Sequence, residues 1–147
     1  MLILCPLDFS AGTPELLAYA AALAAGTGAE LRLLHVCEPR PSLAQPETPD
    51  PVEASCTKRL YELRQVAEQS GAAHVSTGIV KGEAATEILA YAQQQSVACI
   101  VIGAHGRTGL TRFLMGSTAE AVLRMAPCPT LLVRFPATVS ETSSLTL

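Results

Sequence analysis

The chain has 147 residues, of which 49% are hydrophobic and 16% charged, with a formal charge of −3. That balance suits one globular domain with its own core and excludes a disordered chain. The mild acidity, without any run of Lys or Arg, argues against nucleic acid as a partner.

The opening stretch MLILCPLDFS has no basic segment and reaches Asp8 early, so it does not read as a signal peptide. No apolar run approaches the roughly 20 residues needed to cross a bilayer. Five cysteines, Cys5, Cys37, Cys56, Cys99 and Cys128, form no CxxC pair. They read as small buried hydrophobes in a reducing compartment rather than as metal ligands or redox-sensing thiols. The expectation is a soluble cytoplasmic protein with no membrane partner.

Leu2 to Leu7 is an apolar run of strand length. Thr13-Pro14-Glu15 then reads as an N-cap, a first-turn proline and a first-turn acid. Leu16, Ala20, Leu23 and Ala24 follow at helical spacing, with Gly26 and Gly28 ending the helix. Leu31 to Cys37 is a second strand. Residues 38 to 51 hold five prolines and cannot form a regular element; residues 39–51 are therefore expected to be a flexible loop. Asp50-Pro51-Val52-Glu53 has the spacing of a capping box with Asp as the cap. The helix it opens carries Cys56, Leu60, Leu63 and Ala67 on one face and runs to Gly71. Val75, Thr77 and Ile79 alternate as a third strand near a sheet edge.

Residues 82 to 95 form a helix with Ala85, Ile88, Leu89 and Ala92 inward, and Val97 to Ile102 is the most apolar stretch, a central strand. Residues 103 to 116, with four glycines, form a long connection. Ser117 to Met125 is a helix stopped by Pro127 and Pro129, and Thr130 to Phe135 is a fifth strand. The Ser/Thr-rich tail over 137–147 is expected to be frayed. Alternating strands and helices with apolar strands imply an α/β domain, residues 1–136, whose mostly parallel sheet is covered on both faces.

Ligands of open α/β sheets sit beyond the carboxyl ends of strands, where strand order reverses. Pro6-Leu7-Asp8 and the stretch Gly103 to Thr118 occupy such places. Connections of about 12 residues in a compact fold are usually functional or disordered. Glycines there let backbone N–H groups approach a ligand, and the helix start at Gly116-Ser117-Thr118 favours an anion. A helix terminus contributes only about 0.3–1 kcal/mol, whereas micromolar binding needs roughly 8 kcal/mol. The ligand must therefore also bury an apolar body, as adenine would.

Gly103-x2-Gly106-x9-Gly116-Ser117 resembles the G-x2-G-x9-G-[S/T] signature of the universal stress protein family. The surrounding string GAHGRTGLTRFLMGSTAEAVLRMAPCPTLLV is similar to that family, as are LCPLDFSAGT and LLHV, so the resemblance covers about residues 2 to 135. There is no Walker GK[ST] and no GxGxxG after the first strand. The resemblance implies a Rossmann-like single domain with five strands in the order 3-2-1-4-5. It implies Asp8 on a ribose, with Pro6, Leu7 and Val36 near adenine. Backbone N–H groups at Gly106, Arg107, Gly116, Ser117 and Thr118 would hold phosphates, with Ile102, Gly103 and His105 completing the binding set. Magnesium or manganese would bridge phosphate oxygens, with no metal held by the protein alone. Ala119 departs from members carrying a hydroxyl there, so ADP or AMP would bind nearly as well as ATP.

Simpler roles stand beside these. Asp8 could cap the turn into the first helix. Ser117 with Glu120 makes Ser-x-x-Glu, a capping box that needs no ligand. His105 has no carboxylate neighbour in sequence and is not expected to be catalytic, Arg107 and Arg112 are either surface charges or phosphate contacts, and His35 and His74 are expected to be structural. No catalytic residue is assigned. Three functions follow: an adenine-nucleotide-binding regulator acting as a homodimer through Thr130–Phe135, a weak ATPase, or a ligand-free dimeric adaptor.

Overall fold

The computed structural model describes residues 1–39, 51–104 and 116–134. Within them strands and helices alternate as β1 (Leu2–Pro6), α1 (Thr13–Thr27), β2 (Glu30–Cys37), α2 (Pro51–Gln69), β3 (His74–Lys81), α3 (Ala84–Gln94), β4 (Cys99–Gly103), α4 (Ser117–Met125) and β5 (Thr130–Val133). The strands form one sheet in the order β3-β2-β1-β4-β5, and each neighbouring pair is parallel. The chain is thus a single α/β domain with the expected strand order.

Alternation along the strands splits the core into two layers. Ile3 and Cys5 of β1, with Leu31 and Leu33 of β2, pack against Leu16, Ala20 and Ala24 of α1 and Leu60 and Ala67 of α2. Leu4, Leu34, Ile100 and Ile102 face the other way, onto Ile88 and Ala92 of α3 and Ala119 and Val122 of α4. Each fully buried Leu or Ile contributes about 1.5–3 kcal/mol relative to exposure. Strands apolar on both faces therefore leave a doubly covered sheet as the favourable arrangement.

Several local boundaries differ from the sequence reading. Gly12, not Thr13, is the N-cap of α1; Thr13 is helical and its backbone N–H donates to Ser10 O at 3.0 Å. The helix passes through Gly26 and ends at Gly28, whose φ of 71° is the left-handed conformation that glycine adopts without a Cβ clash. Thr77 is exposed although Val75 beside it is buried, because β3 is the outermost strand. β4 begins at Cys99 rather than Val97. Asp50, Phe135 and the tail fall outside the described residues, as does most of the proline-rich segment. Glu53, the acid of the expected capping box, lies 3.3 Å from the Lys81 ammonium at the end of β3.

Candidate functional site

The order of the sheet reverses between β1 and β4. Ile3 pairs with Cys99 and Leu4 with Ile100, so the carboxyl ends of these strands lie side by side. From there the chain leaves β1 towards β2 and leaves β4 towards β5, on opposite sides. In open α/β sheets such a reversal is where ligands bind.

On the β1 side the turn after the strand is tied down by backbone bonds. Leu7 N–H donates to Leu34 O at 2.8 Å. Leu7 O lies 2.7 Å from His35 Nδ1; a carbonyl can only accept, so Nδ1 carries the proton. Asp8 Oδ1 accepts the Ser10 N–H at 3.0 Å, which establishes the turn-capping role of Asp8. Phe9 sits at φ 59°, a left-handed conformation unusual for a bulky residue. Its ring stacks on His35 with centroids 4.5 Å apart, and the Arg59 guanidinium lies 4.3 Å from its centroid on α2. These contacts hold a backbone geometry that costs roughly 1–2 kcal/mol. Pro6 and Leu7 are buried beneath the turn, and Val36 is half-buried on the α3/α4 side.

On the β4 side lies the start of α4. Gly116 N–H donates to Ala104 O at 2.8 Å, and Ala104 N–H donates to Val133 O at 2.9 Å. The two ends of the long connection are thereby closed against each other, with Gly103 beside the first turn of α4. Two expectations need correction here. Ser117 does not cap the helix: the N-cap is Gly116, in an extended conformation (φ −64°, ψ 149°) with no side-chain cap bond. The expected partner Glu120 instead forms an i,i+4 ion pair with Arg124 at 2.9 Å. The Gly116 amide, expected to meet a phosphate, is spent on Ala104.

Ser117 and Thr118 N–H groups remain without an acceptor inside the helix, because the first intrahelical bond runs from Glu120 N–H to Gly116 O. Ala119 is buried and offers no hydroxyl. Ile102 is buried at the end of β4 and Gly103 is half-buried beside it. His105, Gly106, Arg107 and Arg112 lie outside the described residues. A separate cleft of about 430 Å³ opens beside Phe9, Thr13, Pro14, Arg59 and Leu63. It lies between the β1–α1 turn and α2 and shares none of the described candidate residues.

Sequence reasoning missed the strained Phe9, for which a bulky residue in an ordinary turn gives no signal. It also treated His35, Cys37 and Cys56 separately, whereas β2 and α2 bring them together. Among the described residues no helix is long and apolar enough to cross a membrane.

The sequence model of the universal stress protein family matches residues 1–134. Universal stress protein A homolog 1 of Coxiella burnetii is 33% identical over 140 residues, covering 89% of this chain and 94% of that protein. A universal stress protein of Methanocaldococcus jannaschii is 39% identical over 77 residues, which cover 52% of this chain and only 45% of the archaeal one. Among solved structures, universal stress protein UspA from Lactobacillus plantarum superposes with a TM-score of 0.78 at 27% identity, over 91% of this chain and 97% of its own. Two further structures share the fold at lower identity. One is a universal stress protein in complex with cAMP (TM-score 0.72, 20% identity, 91% and 96% of the two chains). The other, from Archaeoglobus fulgidus, is in complex with dAMP (TM-score 0.69, 22% identity, 90% and 96%). The chain belongs to the universal stress protein family.

Proposed function

We propose that this protein binds an adenine nucleotide, ATP, ADP or AMP, between the β1–α1 turn and the start of α4, and acts as a homodimeric stress-response regulator. The observation that supports the reading is the closure of Gly116 onto Ala104, which holds the first turn of α4 at the end of β4, the strand that pairs with β1 where the strand order reverses. The cAMP and dAMP complexes of proteins sharing the fold support adenine as the base.

In this reading Pro6, Leu7, Val36 and Ile102 wall the adenine. Asp8 accepts from ribose hydroxyls; a carboxylate offers about four lone-pair sites, and Ser10 takes one. Ser117 and Thr118 amides hold phosphate oxygens, with the backbones of Gly103, His105, Gly106 and Arg107 completing the cradle. Magnesium or manganese is held mainly by the phosphates, as hard cations bound through oxygen commonly are. With Ala119 lacking a hydroxyl, ADP and AMP compete closely with ATP. The five cysteines form no disulfide, which supports a cytoplasmic location. Dimerisation through β5 is supported by its edge position and by Leu131, 42% exposed on it, since an apolar sheet edge invites pairing.

A thermal shift tests nucleotide binding. Ligand at about 100-fold over its dissociation constant stabilises the folded state by roughly 2.7 kcal/mol. A rise in melting temperature with at least one of ATP, ADP and AMP is expected; none with any of the three contradicts the proposal.

A further inference from the structure

His35 and Cys37 are on β2 and Cys56 is on α2. A ring nitrogen of His35 and the two sulfurs all lie within 4.8 Å of one another. His35 and Cys56 are buried and Cys37 is half-buried, so the cluster is sheltered but reachable. Alternation along β2 turns His35 and Cys37 to the α1/α2 side, away from Val36 and Ile102. The cluster is therefore on the opposite face of the sheet from Val36 and Ile102, and meets the proposed nucleotide site only through the Leu7 carbonyl.

Two thiols and one imidazole are the donors that soft d10 ions prefer, while hard cations select oxygen. In a tetrahedral site with Zn–S near 2.3 Å, neighbouring sulfurs stand roughly 3.8 Å apart. Donors now at most 4.8 Å apart need to close by only about 1 Å to meet that spacing, a shift within the reach of side-chain torsions. The imidazole is already prepared. Its Nδ1–H is held by Leu7 O at 2.7 Å, which keeps the lone pair on Nε2, and its ring plane is fixed against Phe9. A ligating histidine held through its other nitrogen by a carbonyl is the usual outer-shell arrangement of metal sites.

We propose that His35, Cys37 and Cys56 form a binding site for a soft d10 cation, zinc(II) or copper(I). Zinc would take water as its fourth ligand. On binding, both thiols lose their protons to solvent and bond the ion as thiolates, with no change in oxidation state. The other cysteines are not equivalent. Burial pushes the Cys5 thiol up to about 12, which makes it a poor ligand at neutral pH. Cys99, on β4, and Cys128, beside β5, are both raised chiefly by burial, and Cys128 also by the neighbouring Cys99.

The test uses the full chain, reduced and freed of metal, in a Cys99→Ser/Cys128→Ser background without nucleotide. Zinc(II) or copper(I) is titrated against a chromophoric chelator, and cobalt(II) replaces zinc for spectroscopy. The expected result is one equivalent per chain and a thiolate-to-cobalt charge-transfer band. Both should be lost on Cys37→Ser, with affinity falling by more than the roughly 10- to 100-fold that losing an outer-shell partner costs. Cys56→Ser should do the same, and circular dichroism checks that it folds; the half-buried Cys37→Ser carries the test if it does not. Binding that survives Cys37→Ser, or the absence of a stoichiometric equivalent for either ion, would overturn the site. So would a Cys37–Cys56 disulfide, seen as the loss of two hydrogens by mass, forming in place of metal uptake.

Discussion

Gly116 and Ser117 are neighbours with different amides. The Gly116 N–H is spent in closing the connection onto Ala104, whereas the Ser117 N–H, in the first turn of α4, has no acceptor inside the helix. Proline at the first helical position removes that donor without harming the helix, and the extended backbone of Gly116 suits a residue preceding proline. Ser117→Pro is therefore expected to leave the melting temperature of the nucleotide-free protein unchanged while weakening ADP binding. A hydrogen bond to a charged group is worth about 1.5–3 kcal/mol, or roughly 10- to 150-fold in affinity, measurable by isothermal titration. At this scale the sequence was a partial guide. Asp8 was legible as a turn former because Asx turns are local. The Ser117–Glu120 capping box was not, because Arg124 competes for the same carboxylate one turn further on.

Among the elements, the order and the buried faces followed from periodicity, since each layer is filled by residues at period 2 or 3.6. What periodicity could not show was contact between elements. Arg32 on β2 donates to Ser76 Oγ on β3 at 2.9 Å and to Tyr91 Oη on α3 at 3.1 Å, a link invisible to any window of sequence. The gathering of His35, Cys37 and Cys56 was hidden for the same reason, as the proline-rich segment separates β2 from α2. Glu83 capping α3 through the Ala85 and Thr86 amides was likewise unread, because glutamate is an uncommon cap. The anchoring of α2 to the sheet can be tested at Leu60, 1% exposed in the α1/α2 layer. Leu60→Ala is expected to lower unfolding free energy by about 2–5 kcal/mol in urea titrations. A loss below about 1 kcal/mol would mean that α2 contributes little to the cooperative core.

Over the whole molecule, the strand order sets both what lies at the reversal and what lies at the edges. β1 is central because it pairs with β2 on one side and β4 on the other, and β5 is left as an edge with Leu131 exposed. If β5 is the dimer contact, a charge at its centre should be intolerable across a two-fold axis, where like charges meet. Light scattering is expected to give twice 15.4 kDa for the native chain and 15.4 kDa for Leu131→Glu; a native chain that is already monomeric at micromolar concentration contradicts the dimer. The strand order itself was legible through the glycine motif's resemblance to a family, whereas alternation alone required only a parallel sheet.

The most direct test of the nucleotide site is to follow backbone amide resonances by NMR as ADP is added. Leu7, Asp8, Gly103, Ser117 and Thr118 should shift most and saturate together at one equivalent. Shifts centred instead on Ala11, Thr13 and Leu63, beside the cleft of Phe9 and Arg59, or no shifts at millimolar ADP, would contradict it.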